Sequence, residues 1–167
     1  FAVVHLMLLG RLRLRPAGAA LPGKRGLVAF DFPGNTLLLT EEGSKRRASL
    51  HLVRGEGALA ALDPGGLDVP GSSAEAFAAR LRAENHTLKR SLTDPRTLSG
   101  IGNTFSDEIL HRARLSPIVW TSRATDAQLG ELHRSSREIL EEWTQRLRSE
   151  VGEGFPEQVT AFRDGMA

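Results

Sequence analysis

Residues 97–117 read Thr97-Leu98-Ser99-Gly100-Ile101-Gly102-Asn103-Thr104-Phe105-Ser106-Asp107-Glu108-Ile109-Leu110-His111-Arg112-Ala113-Arg114-Leu115-Ser116-Pro117, and the fold turns on how they are read. Two glycines flank one apolar residue, and glycine permits backbone conformations and close approaches that a Cβ forbids. Asn103 follows as a favoured N-cap residue. Asp107 and Glu108 lie in the next turn, and Ile109, Leu110 and Ala113 fall on one helical face. A tight turn that presents backbone N–H groups at a helix start is suited to a phosphate. It is equally the form of a plain turn before a capped helix. The stretch lacks the third glycine and preceding strand of a dinucleotide fingerprint, and the Gly-Lys-Ser/Thr ending of a P-loop.

Outward from this turn, helical signals run in both directions. Ser72 and Ser73 can cap a helix through Phe77, Leu81 and Arg82, with Glu75 at the capping-box position for Ser72. Thr125-Asp126-Ala127-Gln128 is a second capping box. It opens a helical stripe of Leu129, Leu132, Ser136, Ile139, Leu140, Trp143 and Leu147, which reads as core. Further upstream the pattern changes to short apolar runs bounded by turn residues: Ala2–Leu6, Leu27–Phe32, Thr36–Thr40 and Ser49–Val53, with a hairpin signal at Pro33-Gly34-Asn35. These predict an antiparallel sheet or half of a sandwich. Residues 57–71, rich in Gly and Pro, read as a linker. The expected organisation is therefore a β lobe over 1–56, a linker over 57–71 and a helical domain over 72–167.

The 167 residues contain no cysteine, which excludes disulfides and thiolate zinc sites within them. The longest apolar run, Phe1–Leu9, is interrupted by His5 and too short to cross a bilayer. A cytoplasmic monomer without membrane association is the expectation. Residues 1–56 carry nine Lys/Arg against four Asp/Glu, and the formal net charge is +2. A basic first part suits a polyanionic partner, or is simply a solvated face. His86, His111 and His133 lack the spacing of metal ligands, and Trp120 and Trp143 read as packing residues.

The run Lys89-Arg90-Ser91-Leu92-Thr93-Asp94, followed by Ser99-Gly100-Ile101-Gly102-Asn103-Thr104-Phe105-Ser106-Asp107-Glu108-Ile109-Leu110, resembles the helix–two-turn–helix element of the formamidopyrimidine-DNA glycosylase/endonuclease VIII family. The resemblance implies that Gly100, Gly102 and Asn103 grip a DNA phosphate beside the lesion, with Lys89 facing DNA and Asp94 satisfying backbone donors at the turn. His5-Leu6-Met7-Leu8-Leu9-Gly10-Arg11-Leu12 is similar to the family's His-Leu-Gly-Met-Ser-Gly-Arg-Leu motif, whose Met fills the gap left by a flipped nucleotide. Leu8 takes that place, and an apolar wedge suits it. Ser44-Lys45-Arg46-Arg47-Ala48-Ser49 resembles the family's Asp-Pro-Arg-Arg-Phe-Gly loop. By that likeness Arg46, with Arg47 as its rival, is the inserted arginine, and Ala48 replaces the aromatic wedge.

The resemblance implies an α+β fold: part of an antiparallel β-sandwich lobe, then an all-helical lobe. The implied function is a base-excision-repair DNA glycosylase with AP-lyase activity on oxidised bases, and the partner is damaged double-stranded DNA. The family's nucleophile is an N-terminal proline amine followed by glutamate, and its zinc finger lies at the other end. This sequence starts at Phe1 and ends at Ala167 without either, so it is expected to be an interior portion that binds DNA, with no catalytic residue and no metal or cofactor of its own. A non-catalytic DNA-binding module using the same element is the alternative. A ribosomal or topoisomerase-type nucleic-acid binder is a third reading, against which the basic β lobe argues.

Overall fold

The structure, a computed structural model, describes residues 1–7, 9–42 and 45–157. The chain divides into two compact units. The first comprises Phe1–Leu62 with the described residues 151–157, and the second Asp63–Glu150. The architecture is α+β, antiparallel sheets followed by helices.

In the first unit, β1 (Ala2–His5) pairs antiparallel with β5 (Ser49–Leu52), while β2 (Gly10–Pro16), β4 (Asn35–Glu41) and β3 (Gly26–Asp31) form a second sheet with β4 central. The hairpin expected at Pro33-Gly34 joins β3 to β4 and closes through the Phe32 N–H on the Asn35 carbonyl at 2.8 Å. Strand β4 is covered on both faces, which buries Thr36, Leu38, Leu39, Thr40 and Glu41.

Strand β2 was not among the four strands expected, although its sequence alternates strictly: Arg11, Arg13 and Arg15 against Leu12 and Leu14. That is the period of a strand with one apolar and one charged face. On the charged face Arg13 pairs with Glu42 and Glu157 at 3.7 Å, Arg15 pairs with Glu157, and Arg25 reaches Glu42 at 3.1 Å. The Arg15 guanidinium, donating to the Glu157 carboxyl, holds that carboxyl below its ordinary range.

The stretch expected as a linker is structured. Helix α1 (Glu56–Ala60) occupies its start. Its second half is a strap on the helical unit: the Leu67 N–H donates to Thr97 O at 3.0 Å, Ser99 N–H donates to Leu67 O at 2.9 Å, and Val69 is fully buried. Gly66 is required by this strap, because a Cβ there would lie 2.3 Å from the Pro95 carbonyl oxygen. Glycine and proline mark the bends, while Leu67 and Val69 act as anchors between them.

The second unit holds α2 (Ala74–Arg82), α3 (Leu88–Thr93), α4 (Asn103–Arg112) and α5 (Asp126–Val151) around one apolar core. The α2 cap is Ser73, whose Oγ accepts from Ala76 N–H at 3.2 Å. The box expected from Ser72 and Glu75 does not form, since Ser72 Oγ donates instead to the Val69 carbonyl at 2.9 Å. The Thr125–Gln128 box does form, with reciprocal bonds of 2.9 and 3.2 Å. Leu129, Leu132, Ser136, Ile139 and Trp143 are buried as the stripe requires. No described helix is long and apolar enough to cross a membrane.

Candidate nucleic-acid interface

In the helical unit, α3 begins at Thr87, whose Oγ1 accepts from the Arg90 N–H, and buries Leu88, Ser91 and Leu92. It stops at Asp94. The Asp94 carbonyl accepts from the Thr97 and Leu98 N–H groups, and its carboxylate accepts from the Arg96 N–H at 2.9 Å and from the Arg96 guanidinium. The Arg96 bonds hold the Asp94 carboxyl down at about 2. Asp94 thus has the turn-stabilising place expected of it.

The second turn is built by two core anchors three residues apart, Leu98 and Ile101. Between them Gly100 adopts φ +77°, a left-handed conformation that favours glycine. Gly102 differs: its backbone is extended (φ −99°, ψ −177°), and a Cβ there would meet nothing within 4 Å. Nothing in the surrounding fold requires glycine at 102, so the open space on its outer side is what the missing side chain provides.

Gly102, not Asn103, is the N-cap of α4, and no side chain caps it. Asn103 is the first helical residue and is exposed, as Gly100 and Gly102 are. The expected capping by Asn103 is corrected because Gly102 already supplies the extended residue that precedes the helix. The first N–H groups of a helix have no intrahelical acceptor, so this turn points donors outward.

Lys89 stands over the turn. Its Nζ donates to the Asn103 carbonyl at 2.9 Å and lies 2.5 Å from Asp107 Oδ1. An ammonium carries three N–H groups, so one remains for a further acceptor. Lys89 and Asn103 are therefore brought together at the start of α4, which Gly100 and Gly102 precede in the chain, and Asp107 is the ammonium's ion-pair partner there. Behind it, Phe105 packs edge-on against Trp143 with ring centroids 5.7 Å apart, and Trp143 Nε1 donates to Glu108 at 2.8 Å.

The remaining candidates lie in the first unit. Pairing of His5 with Ser49 and Gly10 with Glu41, together with the Glu42 N–H on Leu9 O at 3.3 Å, brings the β1–β2 and β4–β5 connections out side by side. The first is a knuckle closed by the Gly10 N–H on Leu6 O at 2.8 Å, where a Cβ on Gly10 would sit 2.2 Å from that oxygen. Leu8 lies outside the described residues. Its neighbours Met7, at φ +53°, and Leu9 are 42% and 44% exposed. Sequence reading passed over both; the left-handed backbone of Met7 is a strained conformation for a residue with a side chain, held in place by the closed knuckle.

In the second connection Lys45, Arg46 and Arg47 are exposed. The Arg46 guanidinium donates to the Lys24 carbonyl, and Arg47 N–H donates to the carboxylate of Glu41 at 2.9 Å. Glu41 is a further residue that sequence reading missed. Exposed Met7 and Leu9 on one connection and exposed Lys45, Arg46 and Arg47 on the next are the chemistry that apolar base contacts and phosphate contacts respectively require.

His133 and His86 serve packing and local pairing. His133 packs tilted against Phe77 with ring centroids 5.1 Å apart, and burial pushes its pKa down, while His86 meets Glu84 at 2.9 Å.

The formamidopyrimidine-DNA glycosylase H2TH domain matches residues 66–151. A Mycobacterium tuberculosis protein described as an uncharacterized formamidopyrimidine-DNA glycosylase-like protein is 37% identical over 94 residues, 56% of each chain. The formamidopyrimidine-DNA glycosylase of Nitratidesulfovibrio vulgaris is 32% identical over 142 residues, 83% of this chain and 38% of that one. The Roseiflexus sp. enzyme of the same name is 32% identical over 140 residues, 82% and 50% of the two chains. The chain spans about half the length of the curated relatives it matches. Among solved structures, Lactococcus lactis Fpg in complex with DNA containing an abasic site superposes with a TM-score of 0.76 at 21% identity, covering 93% of this chain and 58% of that one. MutM in complex with DNA containing carbocyclic 8-oxo-G gives 0.75 at 21% identity, covering 86% and 54%. At these identities the likeness is one of fold.

Proposed function

The chain belongs to the formamidopyrimidine-DNA glycosylase family, and from that premise we propose that it supplies the DNA-gripping part of a base-excision-repair glycosylase with AP-lyase activity, acting on oxidised bases flipped out of duplex DNA. The observation that carries this reading is the turn before α4. Gly100 bends the chain, Gly102 leaves its outer side open, and the unpaired N–H groups of the first helical turn emerge beside the Lys89 ammonium. A phosphate there accepts backbone N–H bonds, gains from the helix dipole and meets a cation. Such a contact fixes register on the duplex without reading sequence.

In this reading Leu8, with Met7 and Leu9 beside it, enters the stack at the gap that flipping leaves, and Arg46 or Arg47 approaches the opposite strand. Unstacking a base costs a few kcal/mol, least at a damaged or mispaired position, and apolar wedges offset part of that cost. We assign no described residue to the covalent chemistry.

Gly102→Ala and Asn103→Ala test the grip. Gly102→Ala is expected to melt like the parent, because its Cβ has open space, yet to bind a duplex with an abasic-site analogue at least fivefold more weakly, on the order of 1 kcal/mol. Asn103→Ala is expected to lose about 1–3 kcal/mol on damaged and undamaged duplex alike. Fluorescence anisotropy at moderate salt reads both, and unchanged affinity in the two variants would remove the turn from the interface.

A further inference from the structure

Resting on the reading of the 45–48 loop as a DNA contact, we propose that Glu41 is the positioning residue that presets how Arg46 and Arg47 are presented to DNA. Glu41 ends β4, is 2% exposed, and sits opposite Gly10 in the sheet register. Its two carboxylate oxygens accept from the Arg47 N–H at 2.9 and 3.0 Å, and one of them also accepts from the Ala48 N–H at 3.1 Å. A peptide N–H cannot turn without its whole plane. Two successive N–H groups converging on one buried carboxylate therefore fix the planes on either side of Arg47, and with them the direction in which the Arg47 side chain leaves the chain and the place of the Arg46 Cα from which its guanidinium reaches out.

The anchor is rigid because Glu41 belongs to the central strand. An ionised carboxylate is an acceptor only, with room for several donors, whereas the NH₂ of an amide would face donors. The loop's other tie, from the Arg46 guanidinium to the Lys24 carbonyl, can be exchanged for a phosphate oxygen, while the Glu41 tie lies out of reach of solvent. The cationic loop is thereby ordered before DNA arrives, so less conformational entropy is lost on binding.

The test uses the 167-residue chain and a duplex carrying an abasic-site analogue, read by anisotropy across a salt series. Four proteins are compared: the parent, Glu41→Gln, the double variant Arg46→Ala with Arg47→Ala, and the triple variant. Glu41→Gln is expected to weaken binding about tenfold, the scale of one lost charge-assisted contact. It should also reduce the salt slope as the double variant does, an effect that a merely structural residue would not produce. The triple variant should bind like the double variant, because Glu41 acts through the arginines. If the double variant loses affinity while Glu41→Gln does not, or if the two losses add in full, the role of Glu41 is overturned and the loop's DNA role stands. If the double variant binds like the parent, the loop's DNA role fails and takes the proposal with it. Should Glu41→Gln not fold, Glu41→Asp, whose shorter side chain cannot hold both N–H groups at these distances, enters the same cycle with the same outcomes.

Discussion

At the scale of single residues, Gly100 and Gly102 show how one residue type serves two ends. Gly100 answers to its own backbone and Gly102 to the space outside it. Asp94 answers to the turn. Its folded-state value of about 2 lies below the ordinary 3.8, so its contribution to stability is complete above pH 4 and is lost as pH falls through 2. Asp94→Asn is expected to cost about 1 kcal/mol at neutral pH. Thermal melting of the variant should also be less sensitive to acid between pH 4 and 2 than that of the parent, and identical acid profiles would show that the carboxylate does not tie the turn. The sequence made Asp94, Gly100 and Lys89 legible because each serves a local geometry that its neighbours announce. Asn103 was misplaced by one position, since the bare glycine before it can serve as the cap without a side-chain acceptor. Glu41 was invisible because its partners are backbone groups six and seven positions on, and backbone donors leave no mark on residue type.

At the scale of elements, the strap through Gly66, Leu67 and Val69 is where composition misled. Glycine and proline density implied a linker, but between the bends Leu67 is tied by backbone hydrogen bonds to Thr97 and Ser99, just before the turn that opens α4, and Val69 is buried in the helical core. Gly66→Ala puts a Cβ within 2.3 Å of a backbone oxygen that cannot swing aside. The expected loss is about 1–3 kcal/mol, read as a fall of roughly 4 °C or more in the melting of the helical unit. A variant that melts like the parent would mean that the strap gives way freely. The α5 capping box and most of its apolar stripe were legible, with Leu140 and Leu147 only partly buried, because a helix writes both its start and its buried face into local sequence. Strand β2 carries the period of two in its Arg/Leu alternation, but with three charged residues in seven it lacks the continuous apolar run that marks the other strands.

At the scale of the molecule, the cationic groups considered as DNA contacts are found in both units. The basic loop and the arginine face of β2 lie in the first unit, and the Lys89–Asn103 cluster lies in the second. Binding through two phosphate-directed surfaces should show as a linear fall of log affinity with log salt, with a slope of about −0.9 per phosphate engaged. Anisotropy titrations between 50 and 200 mM KCl measure it, and a flat dependence would contradict a phosphate-led grip. The Phe105–Trp143 contact gives the same event a second signature. Phe105 rides in the turn of α4 that would take hold of phosphate, and its ring edge rests on an indole only 7% exposed. Trp143 is thus an intrinsic fluorophore shielded from water and joined through Phe105 to the start of α4, so capture of phosphate by that turn is expected to register as a change in its emission, read in a Trp120→Phe background because Trp120 is exposed and also emits.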